Sequence, residues 1–187
     1  MALHDRQQIR EAVKAALIGA HGDPVEYATA AGARVYETRV VPFRRLELPA
    51  VAVYSLSETS DDEETAPRIL KRSLQLVVEA AVQQGTNVDD ALDAIALQIE
   101  TAMHRDPTFG GVASDSTLSS TRLDVYEDGE RITGVAVMQY AVTYYTDAPA
   151  AADVTLDDLE TVSAQTSLGG AQAAADRAQD VVSFVET

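Results

Sequence analysis

The segment from Leu46 to Val82 constrains the fold most, because two β-rich runs flank a strongly acidic stretch. The first run, Leu46–Leu56, is rich in β-branched and aromatic residues, and the second run begins at Arg68 and places apolar residues on one face at period two. The members of that face are Leu70, Leu74, Leu76, Val78, Ala80 and Val82. The stretch between the runs carries too much charge to be buried. Its acidic residues are Glu58, Asp61, Asp62, Glu63 and Glu64. The segment therefore predicts two long strands joined by a long solvated loop.

Two amphipathic helices are predicted on either side of these strands. The first covers Asp5–Leu17, with Asp5 as its cap, and the second runs to about Met103 from a capping box formed by Thr86 and Asp89. Residues 34–41 alternate as a strand, and the proline that follows at position 42 predicts either an edge strand or the end of the strand.

The best-supported hairpin lies in the second half of the chain. Strands are predicted over Leu118–Glu127 and Arg131–Tyr145, and Asp128-Gly129 between them is the signal for a tight two-residue turn. Together these elements predict an α+β fold, a mixed or antiparallel sheet of about four to five strands with two main helices packed on one face.

The composition changes after residue 146, which divides the chain into a domain of residues 1–146 and an acidic C-terminal arm of residues 147–187. The arm carries eight acidic side chains against one arginine, a net charge of −7 within the total of −16. It has few large apolar residues, so we expect an extended arm with one short helix around Ala171–Ala178. Its last apolar residues either add to an exposed sheet edge of another chain or belong to a frayed tail. These residues are Val181, Val182, Phe184 and Val185.

The charge and the missing residue types exclude several classes of protein. The chain has no cysteine, which rules out disulfides, thiolate metal sites and thiol catalysis. A net charge of −16 disfavours tight nucleic-acid binding, although it suits a surface that DNA passes without sticking. The apolar runs are too short to span a membrane, and the N-terminus is charged where a signal peptide needs an apolar core. We expect a soluble protein made in a cytoplasm.

No set of residues with catalytic, cofactor-binding or metal-ligating spacing is found. His104 and Asp106 are best interpreted as polar residues at the end of a helix, and Asp61–Glu64 lacks the spacing of a calcium loop. Arg44 and Arg45 precede the strand that leads into the acidic stretch, so we expect pairing between these arginines and the acidic residues of a neighbouring subunit. Pairing within one chain, or solvation of these charges, is an equal alternative.

The order of elements resembles the tail terminator family of long-tailed bacteriophages over residues 1–146. The segments that carry the resemblance are Val41–Tyr54 and Arg68–Val78. The resemblance implies a homohexameric ring on the last ring of the tail tube, at the head-proximal end of the virion tail. This ring stops tube growth, binds the major tail tube protein on one face and the head–neck connector on the other, and lets DNA pass through its centre without specific binding.

A closed ring needs two different patches on each subunit. The candidates are Arg44 and Arg45 on one side and the acidic residues of Glu58–Glu64 on the other. Two other functions stay open: a head–tail joining protein of the same virion, and a small metal-dependent hydrolase that uses His104 and Asp106.

Overall fold

The order of helices and strands follows the predicted layout through residue 148. The computed structural model describes residues 3–37, 43–65, 68–84, 87–128, 131–148, 161–167 and 177–183. Residues 1–148 and 149–187 form two units. The first contains α1 (Asp5–Ile18), β1 (Val35–Glu37), a 3-10 turn (Arg45–Glu47), β2 (Ala50–Thr65), β3 (Arg68–Gln84), α2 (Val88–Arg105), β4 (Asp115–Asp128) and β5 (Arg131–Asp147). The second contains β6 (Thr161–Ser167) and β7 (Arg177–Ser183).

The first unit is built on a five-stranded mixed sheet with the strand order β1-β2-β3-β5-β4. β1 runs parallel to β2, and every other neighbouring pair is antiparallel. β3 lies at the centre and pairs along its length with β2 and β5. The edge position of β1 and the hairpin of β4 and β5 are confirmed, although Gly129 of the predicted turn lies outside the described residues.

Both helices pack on the same face of this sheet, which confirms the predicted α+β fold. α1 lies over β1 and β2, and α2 lies over β3 and β5. The period of 3.6 places the apolar residues of each helix on one stripe, and the period of two does the same for each strand. The largest fully buried side chains of this core include Ile9, Leu17, Leu74, Leu76, Leu92, Ile95, Ile99, Met103 and Met138.

A glycine sets how closely α2 approaches the sheet. Gly134 lies in β5, and a Cβ atom built there would be 2.7 Å from Leu92 Cδ1 and 2.8 Å from Val88 Cγ2. Contacts this short do not occur between carbon atoms, so the first turns of α2 occupy the space that a side chain at position 134 would need.

Both helices begin differently from the prediction. The N-cap of α1 is His4, whose Nδ1 accepts a hydrogen bond from Arg6 N at 3.2 Å, and Asp5 is already the first helical residue. The N-cap of α2 is Asn87, which has a φ of 58° and makes no capping hydrogen bond through its side chain. The predicted capping box is therefore wrong in its N-cap, and Thr86 lies outside the described residues.

The acidic stretch is a strand, so the predicted loop is wrong. β2 starts only at Ala50, because residues 45–47 form the 3-10 turn, and it then continues through the acidic residues to Thr65. Glu58 pairs with Leu74, and Asp61 pairs with Lys71. The backbone groups are satisfied by the ladder while the side chains after Ser60 are exposed. Charge excludes burial of a side chain, but it does not exclude strand pairing at an exposed end of a sheet.

The described part of the second unit, residues 161–167 and 177–183, forms a hairpin. β6 and β7 are antiparallel, and Val182 lies opposite Val162. Arg177 and Ala178, predicted to be helical, lie in β7, while residues 171–176 lie outside the described residues. The β-branched Val181-Val182 pair favours a strand over the helical preference of the alanines before it.

Candidate functional site

The two patches predicted to form a subunit interface lie at opposite ends of β2. Arg44 is exposed just before the 3-10 turn, and its backbone N–H donates to Glu47 Oε2 at 2.7 Å. Asp62 lies twelve residues beyond Ala50 on the same strand. At about 3.3 Å per residue this separates the patches by about 40 Å. The structure therefore does not bring them together within one chain, and nothing is described of the side chain of Arg45.

Glu58 is paired inside its own chain. Its Oε1 accepts a hydrogen bond from Arg72 Nη1 at 2.7 Å, and its Oε2 accepts one from the Tyr144 hydroxyl at 2.5 Å. Arg6 Nε lies 3.6 Å from the same Oε2. Arg72 also donates through Nε to Thr146 Oγ1 at 2.8 Å. The Glu58 side chain is only 10% exposed. This residue therefore joins α1, β3 and β5 in the way that a structural ion pair does.

The ionisation of this cluster follows from its partners. Burial acts to raise the pKa of Glu58, but the hydrogen bonds from Tyr144 and Arg72 and the positive charges of Arg6 and Arg72 outweigh it and lower the pKa below its ordinary value. Burial, followed by the bond to Glu58, raises the pKa of Tyr144 well above its ordinary value. Glu58 therefore stays charged and Tyr144 stays neutral at physiological pH.

The remaining acidic residues stand at the exposed end of the β2–β3 hairpin. Asp62 forms a two-point ion pair with Arg68, at 2.6 Å from Nη2 and 3.2 Å from Nε. Both side chains are exposed, so the pair adds little stability. Asp61, Glu63 and Glu64 are also exposed. This end of the hairpin therefore presents negative charge on a paired strand.

The predicted helix-terminal residues have a structural explanation. The Asp106 carboxylate accepts hydrogen bonds from Thr108 Oγ1 at 2.6 Å, from Thr108 N at 3.0 Å and from Gly110 N at 2.7 Å. The hydrogen bond from the Thr108 hydroxyl, with those from the two amides, lowers the pKa of Asp106. His104 is exposed two residues earlier. In the part of the chain that the structure describes, no group of three or more His, Cys, Asp or Glu residues could hold a metal ion.

The face of the sheet opposite the helices carries polar side chains that bond to one another. The polar residues that alternate with apolar ones in β3, such as Gln75 and Glu79, lie on this face. The structure shows a polar network there: Tyr54 donates to Glu79 at 3.2 Å, and Gln75 accepts from Ser57 and donates to Gln139, both at 2.9 Å.

Leu46 is a surface residue that the sequence analysis missed. Its side chain is 97% exposed on the 3-10 turn, whereas the sequence placed this residue in a strand. The charged residues on both sides of it, Arg45 and Glu47, were the only signal of an exposed turn.

The predicted docking residues of the C-terminal unit have partners within the chain. Val181 lies opposite Ser163 and Val182 opposite Val162 in the ladder between β6 and β7. Phe184 and Val185 lie outside the described residues. The sequence analysis predicted that a single strand docks on another chain. Because β7 is paired with β6, the docking segment would be a hairpin.

The comparison with family models gives a match over most of the first unit. The family model of phage minor tail protein U matches residues 4–144. A chain in a solved structure of the virion of a native gene transfer agent particle is similar at 14% identity, over 74% of this chain and 91% of that chain, with a TM-score of 0.29. No curated protein matches the chain. In the described residues, neither helix has the length and apolar character needed to cross a membrane. The family match confirms the resemblance found in the sequence, and the chain therefore belongs to the phage minor tail protein U family, a family of structural tail proteins.

Proposed function

We propose that this protein is the tail terminator of a long-tailed phage. Six copies form a ring on the last ring of the tail tube, stop its polymerisation and present the other face of the ring to the head–neck connector. The observation that carries the proposal is the family match over residues 4–144, which includes both helices and nearly the whole five-stranded sheet. The ring and its position at the head-proximal end are what the resemblance to the terminator family implies.

The surfaces of the first unit support assembly with other copies. Among the described residues, β4 pairs with a strand on one side only, so the other side of this 14-residue strand presents free backbone groups. No described helix covers the second face of the sheet. Head-to-tail contacts that close into a ring use two different patches, and the two edges of this sheet are formed by different strands.

The charge of the chain supports passage of DNA without binding. The net charge of −16 repels phosphates, and a shallow cleft on the second face is lined mainly by uncharged polar residues such as Ser57, Thr59, Ser73, Gln75 and Ser119. Proteins that hold DNA tightly release counterions by means of Lys and Arg side chains, which this cleft lacks.

The first test is the mass of the purified protein in solution, alone and with tail tubes. We expect a hexamer of about 120 kDa from the 20.0 kDa chain, or a monomer that forms a ring at a tube end. Tubes already treated with an excess of unlabelled protein serve as the control, because their ends should bind no more. A strict monomer that ignores tubes refutes the proposal. Binding to the connector without binding to tubes assigns the chain to the neck.

A further inference from the structure

Leu46 lies at the centre of an exposed patch on one edge of the sheet. The side chain is 97% exposed on the turn that leads into β2. Arg44 is exposed just before it, and the exposed Arg34 is fixed nearby because its Nε donates to Pro49 O at 2.8 Å. We call Arg34, Arg44 and Leu46 the β1-edge patch. An exposed apolar side chain near exposed arginines suits contact with a partner surface that is both apolar and acidic.

The β1-edge patch carries positive charge on a strongly acidic chain. Arg34 and Arg44 are both exposed, whereas the whole protein has 14 basic and 30 acidic residues. A basic edge on an acidic protein is complementary to the acidic surface of a second copy.

The opposite edge of the sheet carries a matching surface. Leu123 and Val125 of β4 are 47% and 48% exposed, and they lie on the side of the sheet that carries the helices, since their partners across the ladder are Ala136 and Gly134. Asp89 and Asp93 are exposed on α2. We call these four residues the β4 flank.

The position of α2 places its acidic residues next to β4. Gln98 points towards α1, because its Oε1 accepts a hydrogen bond from Ala30 N at 2.7 Å in the segment that follows α1. At 100° per residue, Asp89 lies directly opposite Gln98 on the helix, and Asp93 lies close to that side. α1 lies over β1 and β2, so the side of α2 turned away from α1 faces the β4 edge.

The two patches stand at opposite ends of one row across the sheet. Ala50 pairs with Ala81, Ala81 pairs with Val135, and Val135 pairs with Asp124. Leu46 precedes the first of these residues by four positions, and Leu123 and Val125 flank the last one. The row crosses three inter-strand spacings, about 14 Å. The patches therefore lie towards the same end of the sheet, the end at which β2 begins.

We propose that the β1-edge patch of one subunit docks on the β4 flank of the next copy in the ring. Leu46 packs between Leu123 and Val125, and the arginines of the patch face Asp89 and Asp93. This inference rests on the proposed ring and names the residues that close it.

The geometry of a ring separates this interface from the one predicted from the sequence. Neighbours in a cyclic ring are related by rotation alone, so contacting patches lie at one height along the axis. Two patches at the ends of one row of paired residues across the sheet meet in neighbouring subunits when the strands run parallel to the ring axis. The pairing of Arg44 and Arg45 with Glu58–Glu64, about 40 Å away along β2, instead requires strands that run around the circumference. One ring therefore does not use both interfaces.

Cross-linking between introduced cysteines distinguishes the two candidate interfaces. The chain has no cysteine of its own that could react with the cross-linker. In the assembled ring, the double variant L46C/L123C treated with a short bismaleimide should give a ladder of covalent oligomers up to the hexamer on a denaturing gel. The single variants L46C and L123C are the controls and should give no ladder. The double variant R44C/E63C tests the competing interface and should stay monomeric on the same gel.

Two sets of substitutions test the energetics without relying on cross-linking. Leu46→Ser should weaken ring formation at least about tenfold, because it removes the apolar contact with Leu123 and Val125. Leu56→Ser is the matched control, since Leu56 is 58% exposed at a bulge of β2 outside both patches. Arg44→Glu should also weaken the ring, and Asp93→Arg in the same chain should restore it. Both positions are exposed, so circular dichroism should show unchanged folding.

Each outcome has a distinct meaning. A ring that forms without the L46C/L123C ladder, or that gives the R44C/E63C ladder, overturns the inference and leaves the terminator function in place. Cross-linking of L46C to the tube or connector protein also overturns it, because the patch then serves another partner. A native chain that forms no ring, even on tubes, refutes the proposed function itself.

Discussion

Replacing Gly134 with alanine tests how the sheet and α2 fit together. The new Cβ would lie 2.7 Å from Leu92 Cδ1, 2.9 Å from Leu92 Cγ and 2.8 Å from Val88 Cγ2. Leu92 is fully buried and Val88 is 5% exposed, so neither side chain can turn out into solvent. The substitution therefore forces α2 away from β5 or forces a side chain out of its rotamer.

The expected cost follows from two opposing effects. Overpacking of a buried site destabilises by about 1–3 kcal/mol. Alanine also lowers the entropy of the unfolded chain, which offsets about 0.5–1 kcal/mol. Because Leu92 and Val88 are buried and cannot turn away, the overpacking cost lies at about 2–3 kcal/mol, and we expect a net loss of about 1–2.5 kcal/mol in the free energy of unfolding. For a unit of this size it corresponds to a fall in Tm of about 3–6 °C.

Urea unfolding followed by far-ultraviolet circular dichroism measures this loss. Leu92→Ala removes two of the three close contacts, so Gly134→Ala should cost less in that background than in the native chain. Gly110→Ala is the matched control: its Cβ would meet nothing within 4 Å, and its φ of +75° confines the effect to the backbone. The cost of the control should not change with Leu92→Ala. A neutral or stabilising Gly134→Ala in the native chain refutes the close packing described for α2.

Three further predictions concern the charged cluster, the helix end and the second unit. Glu58→Gln should destabilise by about 1–3 kcal/mol in urea unfolding, because a charge that accepts bonds from Arg72 and Tyr144 is lost. Because folding lowers the pKa of Glu58, its contribution to stability is complete above its ordinary pKa of 4.5 and is lost as the pH falls below that value. The plots of unfolding free energy against pH for the native chain and the variant should therefore converge at low pH. Parallel plots contradict the pairing. His104→Ala should leave ring assembly and metal content by mass spectrometry unchanged, and bound metal lost on substitution would support the hydrolase alternative. Amide hydrogens of β6 and β7 should exchange fast in the monomer and slowly in the ring, because a two-stranded hairpin is marginal alone, and equal rates in both states would refute docking of this unit.

The long helices and strands could be predicted from the sequence because each of them buries one face, and this burial sets the spacing of its apolar residues. The central strand β3 has an apolar residue at every second position from Leu74 to Val82 because that face is buried under the helices, and both helices carry an apolar stripe for the same reason. The burial of Ile9 in α1 and Ile99 in α2 follows from these patterns alone. Periodicity reports which face is covered, and it does so most reliably over long segments.

The acidic half of β2 could not be predicted in this way, because neither of its faces is buried. Its strand conformation depends on the ladder to β3, and the side chains alone indicate a loop. The partners of Glu58 were also hidden, since Arg72 is 14 residues away in the chain and Tyr144 is 86 residues away. Leu46 was missed because the local composition of a strand continues into the turn that precedes Ala50. Such features depend on contacts between distant residues, which a local pattern does not report.

The strand conformation of the acidic stretch changes the part it can take in assembly. A flexible loop could bend towards cations on a neighbour, but a paired strand holds Asp61 and Asp62 on opposite faces of a fixed ribbon. When the strands run along the ring axis, as the row between Leu46 and Leu123 requires, this ribbon points along the axis, towards the tube or the connector. Neutralising Asp61, Glu63 and Glu64 together should then leave the ring intact and change its binding to one of those axial partners. Loss of the ring with unchanged axial binding would instead place the acidic strand between subunits, and the row would no longer define the interface.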